Sequence, residues 1–211
     1  MNPKRVLILA PHTDDAELGC GGFIARLVEQ SAEVFVATFS TAEESVPKLA
    51  PPDTMEQEFY EAMSILGVPR DRLFVFRYPV RWFSSLRQEI LEEIVALRCR
   101  IYPDIVLLPS SQDMHQDHQV IHLEGLRAFK ETTVLGYELP WNQISFPAQG
   151  FIPLEQRFVR RKWEALQAYQ SQIEMQRPYF TQAFIEGLAK MRGTQIKRDW
   201  AEAYEVLRMV L

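Results

Sequence analysis

Two short segments hold three of the chain's four histidines, His12, His115 and His118, and set carboxylates beside them; the fourth, His122, follows the second segment by one helical turn. The first reads Pro11-His12-Thr13-Asp14-Asp15-Ala16-Glu17-Leu18-Gly19, and the second Ser110-Ser111-Gln112-Asp113-Met114-His115-Gln116-Asp117-His118. Imidazole nitrogens and carboxylate oxygens are the donors of a catalytic zinc site, in which three protein ligands leave the fourth position to water. Asp14 and Asp15 are adjacent in a turn, so their side chains point in different directions. One can bind a metal while its neighbour faces the water that the metal acidifies and takes its proton. His115 and His118 are three apart, and at a helix start this puts them on one side. One can ligate while the other donates to a developing oxyanion. Asp117 is placed to hold an imidazole in its working tautomer. Spacing alone does not say which member of either pair does which.

The segments are about a hundred residues apart, so the fold must bring them together. Residues 6–10 form a continuous apolar run of strand length, as in a strand buried on both faces. Residues 18–30 follow with helical spacing, and 34–39 read as a second strand. The alternation continues with a helix over 55–66 stopped at Gly67, a strand over 73–76 and a helix over 85–100. A strand over 105–108, a helix over 118–130 and a strand over 133–139 complete it. Alternating strands and helices predict one α/β domain over 1–211, with a Rossmann-like, mostly parallel sheet and helices on both faces. Its C-terminal third is loop-rich: an aromatic loop region over 140–153, helices over 155–171 and 179–191, and a terminal strand or helix over 202–211. In open sheets of this kind ligands bind beyond the carboxyl ends of the strands. His12 follows the first predicted strand, and the other histidines follow the one ending near Leu108. Topology therefore carries both segments to one rim.

Composition narrows the function classes. Hydrophobic residues make up 47% and charged residues 24% of the chain, enough to bury a core. The net charge of −5 argues against a nucleic-acid partner, since phosphate-backbone affinity needs many Lys and Arg contacts. No apolar run is long enough to span a membrane. Two cysteines, Cys20 and Cys99, make no disulfide framework, and a reduced, cytoplasmic setting is the expectation.

Competing motifs are incomplete. His118 and His122 have the spacing of a zincin helix, but Gln119 stands where the Glu base is required. Residues 19–24 open like a dinucleotide fingerprint, yet Ile24 replaces the third Gly and acidic residues precede it. No Ser or Cys sits in a nucleophile elbow. Blander roles suit other residues. Glu17 would complement a helix dipole, Cys20 would pack as a small apolar group among glycines, and His122 would lie on a helix face behind the site. Asp113 fits a loop turn as well as a site rim. Arg157, Arg160, Arg161 and Lys162 form either a solvated face or a contact for a sugar-linked phosphate. Trp141, Phe146 and Phe151 suit stacking on a sugar or self-association into a homo-oligomer.

Residues 11–22, ending in Gly19-Cys20-Gly21-Gly22, resemble the opening motif of the LmbE-like deacetylases, also called the PIG-L family. His115-Gln116-Asp117-His118 is similar to that family's second motif. Residues 162–172, with Ala165-Leu166, Tyr169 and Ser171-Gln172, are similar to a third stretch, and residues 201–205 to its usual ending. Thr13 and Gln116 stand where the family often has Pro, which leaves ligand spacing unchanged. Residues 53–58 lack the substrate-contacting Arg of some members. The resemblance implies a zinc-dependent hydrolase that removes an acetyl group from an N-acetylated amino sugar or its conjugate, such as an N-acetylglucosamine derivative. It implies His12, Asp15 and His118 as metal ligands and Asp14 as general base. His115 would stabilise the oxyanion or act as an acid, and Asp117 would tune His115. Zinc is the expected ion, and another divalent metal would suit the same donors. Hydrolysis of a different amide or an ester at the same site, or metal or sugar binding without turnover, are the alternatives.

Overall fold

A computed structural model describes residues 3–47 and 50–210; Met1, Asn2, Lys48, Leu49 and Leu211, the last in the predicted terminal element, lie outside the described residues. Strand β1 (Arg5–His12) is followed by α1 (Asp15–Glu29), β2 (Glu33–Ser40), α2 (Thr54–Leu66), β3 (Leu73–Val75) and α3 (Arg87–Ile101). Then come β4 (Ile105–Pro109), α4 (Gln116–Ala128), β5 (Thr133–Tyr137), β6 (Gly150–Leu154) and α5 (Gln156–Leu166). Helices α6 (Gln170–Glu174) and α7 (Gln182–Gln195) and strand β7 (Trp200–Arg208) complete the order.

The strands form one seven-stranded sheet, ordered β3-β2-β1-β4-β5-β7-β6. The first five run parallel, β7 runs antiparallel to β5, and β6 pairs antiparallel with β7. Side chains alternate across a strand, so the apolar run of β1 feeds two cores at once. Val6, Ile8 and Ala10 pack with residues of α1, α2, α5 and α7. Leu7 and Leu9 pack with residues of α3 and α4. Helices thus cover both faces, and the expected mostly parallel α/β sheet is the fold observed. Helix α2 stops where expected: Gly67 takes a left-handed φ of 84°, and the N–H groups of Gly67 and Val68 close back on Ser64 and Met63.

The last third differs in detail from the sequence reading. The region taken as loop contains β6, whose Pro153 is accepted because β6 is the edge strand. The single helix expected over 155–171 is two: α5 ends at Leu166 and the chain turns before α6. The turn carries Tyr169, fully buried, to the loop after β1. The terminal element is a strand. The sheet order reverses between β1 and β4, and the open crevice of such a sheet lies at that point.

Candidate active site

His12 is the last residue of β1, Asp14 the N-cap of α1 and Asp15 its first residue. The loop after β4 carries Asp113, and His115 caps α4, with Asp117 and His118 in the first turn. These elements flank the switch point, so both segments meet over one crevice.

Three donor atoms converge. His12 Nδ1 lies 3.2 Å from Asp15 Oδ2, His118 Nε2 lies 3.3 Å from the same oxygen, and the two nitrogens are 3.2 Å apart. A tetrahedral ion with bonds of ~2.0–2.1 Å spaces its ligands by about 3.4 Å, so the triangle has the dimensions of one coordination face. Each of these two imidazoles is held from behind by a carboxylate. His118 Nδ1 donates to Asp113 Oδ2 at 2.8 Å, and His12 Nε2 donates to Asp117 Oδ2 at 3.2 Å. In the neutral rings, the form that a metal ion binds, those bonds set the tautomers that leave His118 Nε2 and His12 Nδ1 with free lone pairs. His12, His115 and His118 can also bring one ligand atom each within 4.8 Å of one another, so this His-rich group could hold a metal. The triangle with Asp15 is the tighter of the two sets.

The electrostatics favour a cation. Burial opposes charge on His12, but the carboxylates of Asp117 and Asp15 outweigh it and raise its pKa to about 10. Burial also opposes the charge of Asp15, yet His118 and His12 pull its pKa down to about 2. Asp14 moves the other way: burial first, then the charge of Asp15, push it up to about 6. Two adjacent carboxylates therefore differ in basicity, a separation that marks distinct roles. Asp14 sits at the N-cap without making a cap hydrogen bond, so capping does not occupy its carboxylate. His115 is driven down to about 4, by burial and by the neighbouring His118 and His12. Its Nδ1 accepts from the backbone N–H of Asp117 at 3.2 Å, which leaves the proton of the neutral ring on Nε2.

The structure corrects three expectations. Asp117 was expected to tune His115, but its carboxylate serves His12 and the backbone N–H of Arg81, the latter at 2.6 Å. Its hold on His115 is indirect: the Asp117 backbone N–H donates to His115 Nδ1 at 3.2 Å, and the Asp117 charge raises the His115 pKa against the larger lowering by burial and the other histidines. Glu17 is fully buried, and burial pushes its pKa well above the usual carboxylate range, so it is a poor dipole partner. It accepts from the Tyr169 hydroxyl at 2.8 Å, and that hydroxyl lies 2.6 Å from the carbonyl of Thr13. Lys162 belongs to no solvated face: it is buried against Glu202 at 2.8 Å. The neighbouring Arg157 and Arg161 are exposed and pair with Glu29, Glu155 and Glu164.

His122 lies apart from the cluster, with Nδ1 donating to the Pro109 carbonyl at 2.8 Å. Asp113, left open between turn and rim, is the carboxylate behind His118; its place five residues before that histidine was the available signal. Arg81, Arg177 and Tyr179 were not singled out, yet they line a cleft of about 310 Å³ with His12, Asp14, Asp15, His115 and His118. Trp141 lines it too and stacks on Tyr179, with ring centroids 3.8 Å apart.

The part of this cleft built by the two histidine segments lies within a stretch with known counterparts. Residues 7–129, more than half of the chain, match the family described as PIG-L: GlcNAc-PI de-N-acetylase. The chain belongs to the PIG-L family. The PIG-L match includes both histidine segments and ends before Tyr169 and Arg177. Among individual proteins, the chain is 27% identical over 175 residues to the Escherichia coli (strain K12) protein named uncharacterized deacetylase YaiS, covering 80% of this chain and 91% of YaiS. Its fold is similar to N,N'-diacetylchitobiose deacetylase from Pyrococcus horikoshii, with a TM-score of 0.76 and 17% identity over 97% of this chain and 84% of that one. It is equally similar in fold to GalB, the 4-carboxy-2-hydroxymuconate hydratase of Pseudomonas putida KT2440: TM-score 0.79, 19% identity, 99% of this chain and 98% of that one. Fold likeness alone therefore does not choose the reaction.

Proposed function

We propose that this PIG-L chain is a metal-dependent hydrolase that removes an acetyl group from an N-acetylated amino sugar or a conjugate of one. The observation that carries the reading is the triangle of His12 Nδ1, Asp15 Oδ2 and His118 Nε2, with the raised carboxylate of Asp14 beside it in the cleft. The donor set suits zinc first and other divalent ions next. Such an ion, when bound, would acidify a water and polarise the amide carbonyl.

The chain's own residues supply the rest. Asp14 takes the proton from the attacking water, as a base whose pKa has been lifted toward neutrality. His115, a neutral ring with its proton on Nε2, donates to the oxygen that gains charge, the oxyanion-hole role. Its lowered pKa makes it a hydrogen-bond donor rather than an acid at neutral pH. Asp14 then carries its proton to the departing amine. Asp113 and Asp117 keep the two ligating imidazoles aimed. The likeness to YaiS and to the Pyrococcus enzyme supports the acetyl group as the one removed. The hydratase of the same fold motivates a second reading, water addition or hydrolysis at a different bond by the same residues.

Metal content by elemental analysis of tag-free protein, followed by acetate release from N-acetylglucosamine, tests this. About one tightly held divalent ion per chain is expected. It should be lost in His118→Ala with the circular dichroism spectrum retained, and acetate should come from the N-acetyl sugar in preference to an O-acetyl ester. A folded protein that holds no divalent ion overturns the reading. A loaded protein that releases nothing from a panel of acetylated sugars and esters leaves a binding protein or the second reading.

A further inference from the structure

Several arginines of the chain are held in ion pairs. Arg87 pairs with Glu124, Arg192 with Glu138, and Arg77 with Glu43 and Glu56. Arg81 and Arg177 differ: both line the cleft, and among the described residues neither has a carboxylate within ion-pair distance. Arg177 Nε is buried and has no hydrogen-bond partner, and the guanidinium reaches only the Met175 sulfur, at 4.0 Å. Arg177 as a whole is half-buried, so it is the Nε–H, turned inward from the exposed end of the guanidinium, that lacks an acceptor. A buried N–H without an acceptor calls for an explanation, and a ligand that brings an acceptor supplies one.

Arg81 is held in place at a cost. Its φ of 70° is left-handed, a conformation unfavourable for a side chain of this size. The Asp117 carboxylate accepts from the backbone N–H of Arg81 at 2.6 Å and from that of Phe83 at 3.4 Å, and so fixes this turn against the cluster. Tyr179 feels both ends of the cleft. Burial and Asp14 push its phenol up, Arg177 pulls it down, and the balance is about 12. The carboxylates in the cleft do not pair with these arginines: Asp15 is committed to the imidazoles, and Asp14 is beyond ion-pair distance.

We infer that Arg81 and Arg177 form an anion subsite, which takes a phosphate or carboxylate carried by the substrate while the acyl group lies at the His12-Asp15-His118 triangle. The inference rests on the deacetylase reading and adds the substrate's charge to it. The guanidinium fork matches both anions with paired, charge-assisted hydrogen bonds. A phosphate contact suggested in sequence by residues 157–162 is thus reassigned to residues that no motif marks; none of Arg157, Arg160, Arg161 and Lys162 lines this cleft.

The test compares acetate release from N-acetylglucosamine, its 1-phosphate, its 6-phosphate and N-acetylmuramic acid, in wild type, Arg177→Gln, Arg177→Lys and Arg81→Gln, each first checked for circular dichroism and metal content. At least one anionic substrate should exceed the neutral sugar about tenfold or more in kcat/KM, as charge-assisted hydrogen bonds allow. That ratio should fall toward one in Arg177→Gln, recover partly in Arg177→Lys, and shrink with added salt. The preferred substrate tells phosphate from carboxylate. A ratio near one in wild type, or a ratio unchanged in both Gln variants, overturns the subsite while acetate release from the neutral sugar keeps the deacetylase reading. Where nothing is deacetylated, isothermal titration of the metal-loaded protein with glucosamine 6-phosphate, glucosamine and muramic acid decides. Tighter binding of either anion than of glucosamine in wild type, lost in Arg177→Gln, upholds the subsite although the deacetylase reading has failed. Equal binding of all three overturns it.

Discussion

Asp14 and Asp15 are identical in type and adjacent in sequence, and they are separated by what each touches. Asp15 Oδ2 accepts from the backbone N–H of His12 at 2.8 Å and faces two imidazoles, so its negative charge is in demand. Asp14 has no such partner, and burial beside a charged neighbour raises its basicity. The substitution Asp14→Asn keeps shape and removes the carboxylate proposed as the base. It should retain about one ion per chain and lower the rate of acetate release by about 10²–10⁴-fold, the range for loss of a general base. Elemental analysis and an acetate assay on the same preparation measure both. A variant with wild-type turnover would take the base role away from Asp14.

Helix α1 shows how an element is shaped to present that pair. Cys20 leaves helical geometry at φ −145°, ψ 21°, so the helix is broken one turn after Asp15. The N–H groups of Gly22 and Phe23, freed by the break, donate to the Glu202 carboxylate at 2.9 and 2.8 Å. Close approach to the sheet requires Gly19, where a Cβ would lie 2.5 Å from the Tyr137 ring. Tyr137 is itself fully buried and cannot swing aside. Gly19→Ala is therefore expected to destabilise the fold by ~1–3 kcal/mol, the usual cost of overpacking. Urea unfolding would measure it; a variant as stable as wild type would mean that α1 shifts freely over β5.

At the scale of the molecule, the C-terminal third is tied into the sheet that carries the site. β7 pairs with β5 and β6, and its Glu202 reaches across to α1 and to Lys162 of α5. Both members of the pair are buried. Lys162→Met would leave that carboxylate without its counter-ion, which in a buried pair costs ~3–5 kcal/mol. A lower thermal midpoint is expected, with the proposed metal ligands His12, Asp15 and His118 unaltered. An unchanged midpoint would show that the two backbone N–H groups and the Tyr204 hydroxyl, 3.0 Å from Glu202, suffice to hold the charge. Among the described residues no helix is long and apolar enough to cross a membrane.

Local sequence was enough for the fold class and for the crevice. The apolar runs of β1, β2, β4 and β5 and the helical spacing between them have a period that physical chemistry reads directly. The same pattern obliges His12 and the segment from Asp113 to His118 to share a rim. Pairwise matters were out of reach. The Asp117 carboxylate bonds His12 while its backbone N–H bonds His115, and Asp113 serves His118, because the turn into α4 aims each side chain, and spacing does not encode that aim. Lys162 looked like one cation in a row, and only the packing of α5 on α1 buries it against Glu202. β6 was hidden because an edge strand needs neither a long apolar run nor freedom from Pro. Arg81 and Arg177 lie in no motif; what sets them apart is that both line the cleft and, among the described residues, neither guanidinium meets a carboxylate there. Periodicity acts over a few residues and can be read along the chain, whereas charge pairing and burial act across space and exist only after the chain has folded.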